Sequence, residues 1–311
     1  VAAPIAPKPD PLVFGRWPVA AEHVIDGDTL RIPGQPSVRV RAVDCEEAYR
    51  SDKDRAAAAT DFPAYAREKR GDHPGPRKYG TPLGEAATRY LRALAAQATH
   101  VRLERDRLGG HELDTYDRRL AHVFFELPDR EVLVSEELIR LGYSPYFVKY
   151  GRSLRFDARL RKAEMEARGA ERGLWGDPPP HHYPDYPERL RWWHARAKQV
   201  DAWRTHAEQP DRITLGTVRA EERLAARVGK PAVVFGLFSG VVDTKDGTKR
   251  VAFLGHRKGR SFPLVFFDKT IFDGLDRSAL DSRFLTVRGV ITLYRGKPQM
   301  VVERAEQIST Q

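Results

Sequence analysis

The sequence predicts an α+β protein with two separate β-rich cores. Three patterns point there. Short apolar-alternating runs broken by Gly, Pro and Asp occupy both ends of the chain, helix-spaced apolar residues lie between them, and a proline-rich break falls at Asp177–Pro180. With 311 residues the chain is long enough for two domains. Its 41% hydrophobic content suits folded cores rather than disorder. No apolar run is long enough to span a bilayer as a helix, so no membrane-spanning role is expected.

The elements follow in order. Val19–Ile25 and Thr29–Ile32 read as strands flanking Asp26-Gly27-Asp28. Pro33-Gly34-Gln35-Pro36 turns the chain into a third strand, Val38–Val43. Ala48–Lys78 is charged with little periodicity and is expected to be an exposed insertion, placed to act as a lid or substrate wall. Thr81-Pro82 supplies a capping hydroxyl and a proline at the first helical position. Ala86, Ala87, Tyr90, Leu91, Leu94 and Ala98 then form one helical face. Val101–Glu104 and Leu120–Phe125 complete the strands around a Gly109–Arg119 loop. Ser135 is placed to cap a short helix ending at Gly142, and Ser153 a longer one burying Phe156, Leu160, Ala163 and Ala167.

These elements make residues 12–178 one domain, an OB-type five-stranded barrel with helices. Residues 179–228 are read as a linker with a helix from Pro187 to His206, whose Trp192, Trp193 and Trp203 are a packing stripe. His181-His182 reads as solvated linker, not a metal site. Residues 229–311 return to strands at Ala232–Val242, Arg250–Leu254, Phe262–Phe267, Phe284–Leu293 and Gln299–Glu303, with a helical stretch between the third and fourth. That is the pattern of a second OB barrel.

Hydrolysis of a phosphodiester needs charge neutralisation at the phosphoryl oxygens, a base for the water, and a clamp on the transition state. The first domain gathers such groups at strand ends: Asp26-Gly27-Asp28-Thr29, then Arg39 through Glu47, then Asp114 through Leu120. Singly each has a plainer reading, a hairpin turn or a strand-surface charge. Together and in order, they resemble the three motifs of the staphylococcal nuclease (thermonuclease) family: Val24-Ile25-Asp26-Gly27-Asp28-Thr29, Arg39 with Asp44 and Glu47, and Asp114-x-Tyr116-x-Arg118-x-Leu120. Gly173-Leu174-Trp175 is similar to the family's usual end.

The resemblance implies a nuclease acting on DNA or RNA and leaving 3′-phosphate ends. Asp28, Asp44 and the carbonyl of Cys45 would hold Ca²⁺ or another divalent cation, an all-oxygen set for a hard ion. Glu47 would handle the attacking water, Arg39 and Arg118 the phosphate, and Tyr116, Asp114 and Tyr150 the nucleotide. Tyr143 and Tyr146 lie near the same stacking positions. Glu46 stands where the family usually has proline and is expected to add a carboxyl beside the site, while Thr115 and Asp117 replace a frequent lysine and glycine.

The last 83 residues resemble small bacterial OB-fold nucleic-acid-binding domains in Leu285–Val290 and Leu293–Val302. Tyr294, Phe235, Phe253 and Phe266 are the stacking candidates, and Arg295, Lys297, Lys249 and Arg250 the phosphate contacts. Charge agrees with a polyanionic partner: the formal net charge is +10, and Gly229–Gln311 holds 14 Lys and Arg against 8 Asp and Glu. A single-strand preference is expected from an OB barrel beside the site, and a monomer is expected. The lone cysteine, Cys45, excludes an internal disulfide. The Ala- and Pro-rich start, Val1–Pro11, reads either as the mature end of a secreted or cell-envelope protein or as a trimmed end that leaves a cytoplasmic protein open. The rival function is a catalytically inactive nucleic-acid-binding or scaffold protein; degenerate nuclease repeats lose the carboxylates or arginines that Asp28, Arg39, Asp44, Glu47 and Arg118 retain here.

Overall fold

The computed structural model describes residues 10–72, 75–114, 116–176, 182–255, 261–276, 280 and 283–310. Most of the Ala- and Pro-rich start, the proline-rich break through His181, and Thr115 lie outside the described residues. The chain divides into two compact units: Val1–Leu108 with Asp117–Val148 and Arg152–Arg191, and Gly109–Tyr116 with Lys149–Gly151 and Trp192–Gln311.

The first unit is built on a sheet of β1 (Val13–Pro18), β2 (Val24–Asp26), β3 (Thr29–Leu30), β4 (Val38–Val40), β5 (His100–Glu104), β6 (Arg119–Glu126) and β7 (Glu131–Leu133). Pairing runs β1-β5-β6-β4-β3-β2, with β7 on β6, so the expected five-stranded barrel is, in its pairing, an open path of strands. The stretch expected as one strand, Val19–Ile25, holds a 3-10 turn at Ala21–His23 and is extended in β2 only from Val24, while β1, ending at Pro18, pairs with β5.

The helices of this unit are α1 (Asp52–Thr60), α2 (Phe62–Arg70), α3 (Pro82–Gln97), α4 (Val134–Arg140) and α5 (Asp157–Gly169). Thr81 caps α3 as expected, its hydroxyl accepting from the Gly84 N–H at 3.0 Å. Leu83, Ala87, Leu91 and Leu94 then face inward. A fully buried leucine such as Leu91 stabilises by about 1.5–3 kcal/mol. Ser135 does not cap: it lies buried inside α4, which begins at Val134 directly from β7. Ser153 folds the turn before α5 by accepting from the Phe156 N–H at 3.0 Å.

The insertion is not an irregular exposed stretch. Ser51 caps α1 and Asp61 caps α2, whose Pro63 sits in its first turn. Ala58, Phe62, Tyr65 and Ala66 form a small core with Tyr49 and Tyr79. The Tyr65 hydroxyl donates to the Gly80 carbonyl at 3.0 Å, tying this core to the start of α3.

The second unit takes up the C-terminal half of α6 (Tyr186–Arg204), then β8 (Arg212–Thr214), α7 (Ala220–Ala226), β9 (Pro231–Asp243), β10 (Arg250–Leu254), β11 (Phe262–Phe266), α8 (Lys269–Asp273), β12 (Phe284–Tyr294), β13 (Lys297–Val301) and β14 (Ile308–Ser309). β9 pairs with β10, β10 with β11, β11 with β13, β13 with β12, and β12 returns to β9. The inward positions of this circuit, among them Val234, Leu254, Leu264, Phe266, Val287, Ile291 and Met300, form one core. A second apolar layer covers the other side of β9: Trp203 stacks on Phe235 at 4.8 Å and Phe235 on Phe284 at 4.9 Å. β9 is therefore buried on both faces through its middle, so Phe235 is a core residue, not a base platform. Phe266 is likewise fully buried.

Among the described residues no helix is long and apolar enough to cross a membrane.

Candidate active site

The cluster in the first unit is assembled by strand register. Thr29 of β3 stands opposite Arg39 of β4, and β4 lies parallel to β6 with Val38 beside Arg119. By this register Asp28 lies beside the Val40 end of β4, its carbonyl accepting from the Val40 N–H at 2.9 Å, whereas Arg118 lies beside the Val38 end and reaches the cluster through its side chain. The Arg39 guanidinium makes ion pairs to Asp28 through Nη1 and to Asp44 through Nη2. Asp44 reaches back because the chain turns sharply after β4. Ala42 adopts a left-handed conformation (φ 67°), and its carbonyl accepts from the Phe147 N–H at 2.9 Å. The Ser144 hydroxyl accepts from the Asp44 N–H at 2.9 Å and fixes the end of that turn.

Asp28 lies at the bottom, its carboxylate also accepting from the Cys45 N–H at 2.9 Å and the Thr29 hydroxyl at 3.1 Å. Burial pushes its carboxyl up to about 7 against the pull of Arg39. Burial also opposes charge on Arg39, but Asp28 and Asp44 outweigh it and raise the guanidinium pKa. Arg118 donates to the Thr29 hydroxyl at 3.2 Å, one residue from Asp28.

Lys78, at the end of the insertion and not among the residues the motifs single out, belongs to the cluster. Its Nζ lies 2.7 Å from Asp44 Oδ1 and 3.6 Å from Glu47 Oε1. Burial works against its ammonium, and Asp44 with Asp28 and Glu47 more than compensates, raising its pKa. A lysine 34 residues from Asp44 has no local pattern to announce it; the signal available was Lys78-Tyr79-Gly80 directly before the capped start of α3. The side chains of Lys78 and Glu47 are 37% and 26% exposed and those of Asp28 and Asp44 3% and 11%, so the cluster deepens from an open rim to a buried pair of carboxylates.

One neighbour, Glu46, does not do what the sequence suggested. Glu46 turns away from the other carboxylates into a buried pocket, where it accepts from the Thr81 hydroxyl and, at 2.7 Å, from the Tyr183 N–H. Burial pushes its carboxyl up to about 7. Cys45 is buried, donates from Sγ to the Gly27 carbonyl at 3.3 Å, and has its thiol pushed well up by burial, so it offers no thiolate. Tyr146 is also removed from any stacking role: it is buried, and its hydroxyl donates to Asp157 at 3.0 Å.

The other predicted contacts belong to the second unit. Asp114 accepts from the Tyr116 N–H at 2.8 Å in a tight turn that leaves the Tyr116 ring 78% exposed. Tyr150 is exposed, with Lys149 Nζ 5.5 Å from its ring. Tyr294, Arg295 and Lys297 occupy the exposed β12–β13 hairpin, where the Arg295 guanidinium stands 5.3 Å from the Tyr294 ring. Lys249 lies 4.8 Å over exposed Phe267, while Arg250 is taken up by Asp243 and Asp273.

Residues 37–177 match the family model described as Staphylococcal nuclease homologue. No protein in a search of curated sequences matches the chain. The matched stretch contains Arg39, Asp44, Glu47, Lys78 and Arg118, and marks this part of the chain as a staphylococcal nuclease-like domain, which suggests nuclease activity. Asp28 precedes the matched stretch and is joined to it by the Arg39 ion pair. As a donor set, Asp28 and Asp44 fit a hard divalent cation: two carboxylates already converge on one positive group. Among the described residues, no group of three or more His, Cys, Asp or Glu side chains is arranged to hold a metal ion.

Proposed function

We propose that the protein is a divalent-cation-dependent nuclease that hydrolyses phosphodiester bonds of DNA and RNA at the Asp28–Arg39–Asp44 cluster. The observation that carries the reading is the joining of Arg39 to both carboxylates, with Arg118 one residue away on Thr29 and Glu47 beside Lys78. Asp28 and Asp44, with the Cys45 carbonyl, are the ligands proposed for Ca²⁺, which supplies positive charge to the phosphoryl oxygens when bound. Arg39 and Arg118 hold the phosphate and meet the charge that builds on it, a role to which the forked guanidinium is suited. Glu47, at the open rim, takes the proton of the attacking water. Lys78 keeps the Asp44 and Glu47 carboxylates at a fixed separation. The family resemblance supports departure of the 5′-oxygen and 3′-phosphate products.

The closed circuit of β9 to β13, with α8 between its third and fourth strands, supports reading residues 229–311 as an OB-type barrel. Its proposed role is to bind the nucleic acid, preferentially single-stranded, through Tyr294, Arg295 and Lys297, with Tyr116, Asp114 and Tyr150 as further substrate contacts. The domain scheme of 12–178, 179–228 and 229–311 is kept as part of this proposal, and the protein is proposed to act as a monomer.

The test is digestion of DNA with Ca²⁺ and with chelator, followed by end-group analysis. Calcium-dependent products whose 5′ ends accept phosphate label directly, without prior dephosphorylation, and whose 3′ ends carry phosphate support the assignment. Tight binding without cutting under any divalent cation would transfer the argument to the non-catalytic binding protein.

A further inference from the structure

The segment that follows the matched nuclease stretch, residues 182–189, returns to the catalytic loop and grips it from two sides. The Tyr183 hydroxyl accepts from the Glu47 N–H at 3.3 Å and from the Tyr79 N–H at 3.0 Å, and donates to the Tyr79 carbonyl at 2.8 Å. The Tyr183 N–H donates to the Glu46 carboxylate, which is itself bound to Thr81. Arg189 lies over the Tyr183 ring at 4.4 Å, pairs with Asp185, and donates to the Arg77 carbonyl. One short segment thus holds both Glu46-Glu47 and Arg77-Lys78-Tyr79, the two backbone stretches that present Glu47 and Lys78 to the site.

The loop is also confined from its other side. The Glu47 carbonyl accepts from the Thr81 N–H at 3.0 Å, and the first turn of α3 presses on it so closely that a Cβ on Gly84 would lie 2.0 Å from that oxygen. Tyr183 is only 2% exposed, and its ring meets Tyr79 edge-on at 4.8 Å. This buried phenol satisfies two backbone N–H groups and one carbonyl. Without its oxygen, those groups are left unpaired beneath the catalytic glutamate.

We infer that Tyr183 is a positioning residue for Glu47, and that residues 182–189 are a working part of the nuclease site although they lie beyond the matched domain. The inference rests on the proposed role of Glu47. It carries the functional end of the catalytic unit past the proposed boundary at residue 178, through the segment proposed as linker and into the start of α6. Tyr183 acts through the backbone of Glu47 and Tyr79.

The experiment compares the full chain with Tyr183→Phe, Glu47→Gln and the double variant, by kinetics and by amide hydrogen exchange. Tyr183→Phe is expected to lower kcat about tenfold, the scale of supporting-shell losses, with KM little changed. In the Glu47→Gln background the same change is expected to cost less than about twofold, because the two act as one unit. Amide exchange at Glu47 and Tyr79 is expected to speed up in Tyr183→Phe while exchange in β5 and β6 stays slow. Equal losses in both backgrounds, or unaltered kcat, would overturn the positioning role. Unaltered exchange at Glu47 and Tyr79 would overturn the clamp itself, and that readout stands whether or not the protein cuts. Failure of the unmodified chain to cut counts instead against the nuclease reading.

Discussion

Arg39 in the first unit and Arg196 in the second are both arginines taken out of water, and their surroundings differ completely. Arg39 joins two carboxylates, and its charge is reinforced by them. Arg196 is 1% exposed, and none of its three nitrogens has a hydrogen-bond partner among the described residues. It lies 4.7 Å from the Trp192 ring and 5.4 Å from that of Phe284, and burial lowers its pKa to about 10. Burying a charge is costly in either place. In the first unit the cost is offset by the two carboxylates proposed as cation ligands; in the second, ring faces are the compensation. Buried charge by itself is therefore no mark of a site. What marks one is convergence of opposite charges with a path to the rim, as Glu47 and Lys78 provide.

The largest effect that could break this comparison is catalytic. Arg118→Ala is expected to reduce kcat by about 10²–10³-fold, the loss typical of one transition-state donor. Single-turnover cleavage measures it, and a variant that cuts at the normal rate would remove Arg118 from the site. Arg39→Ala leaves two buried carboxylates unbridged, so it should abolish cutting and also destabilise the first unit by about 3–5 kcal/mol, read by urea unfolding. Next is the layer around β9: Phe235→Ala is expected to cost about 3–5 kcal/mol of the second unit's stability, whereas Tyr294→Ala leaves Tm unchanged and weakens single-stranded DNA binding by about 1–3 kcal/mol. Arg196→Met sharpens the comparison from the other side, with an expected rise in stability: its nitrogens have no hydrogen-bond partner among the described residues, and replacing buried charge by an apolar chain of similar volume is often favourable by about 1–4 kcal/mol. A fall in Tm would show that the two ring contacts outweigh the desolvation.

The smallest effect is the share of the pH dependence of stability that a different buried pair contributes. His122 Nε2 lies 2.9 Å from Asp106, which also accepts from the Ser153 hydroxyl and the Leu154 N–H. Burial works to raise the Asp106 pKa, but the His122 hydrogen bond and the charge of Arg41 hold it well below the usual carboxylate range. Burial lowers that of His122. For both groups the unfolded chain takes up protons first on acidification. The stability they contribute is full above about pH 6.5 and falls below it, first as unfolded His122 protonates, then more steeply below about pH 4 as Asp106 does. Asp106→Asn should flatten the lower part of the Tm profile; an unchanged profile would assign acid sensitivity to other groups.

Some of this was legible in the sequence because the chemistry is local. Thr81-Pro82 announces α3, and the spacing of Arg39, Asp44 and Glu47 within one strand end places three of the cluster residues without any long-range knowledge. Asp28 joins them through an ordinary β3–β4 register. Other features are legible only in three dimensions. α1 and α2 have nine residues each and bury mainly against one another and the tyrosines beside them, too little for a clear apolar stripe. Tyr183 is separated from Glu47 by 136 residues, and no periodicity links them. Phe235 lies in an almost continuous apolar run, Ala232–Phe238, which does not say what covers each face; Trp203, arriving from α6, and Phe284 make its outer face a second core. Glu46 has the look of a third site carboxyl only while residues adjacent in sequence are taken as neighbours in space, whereas successive side chains of an extended loop point opposite ways.

The central claim is that the Asp28–Arg39–Asp44 cluster with Glu47 at its rim cuts phosphodiester bonds. Its most direct test is cleavage of single-stranded DNA by the full chain and by Glu47→Gln, each with Ca²⁺ and with chelator. The expected result is cutting only by the unmodified chain with Ca²⁺, and a loss of about 10²–10⁴-fold in Glu47→Gln with DNA binding retained. Equal cutting by both proteins, or cutting that persists in chelator, would contradict it.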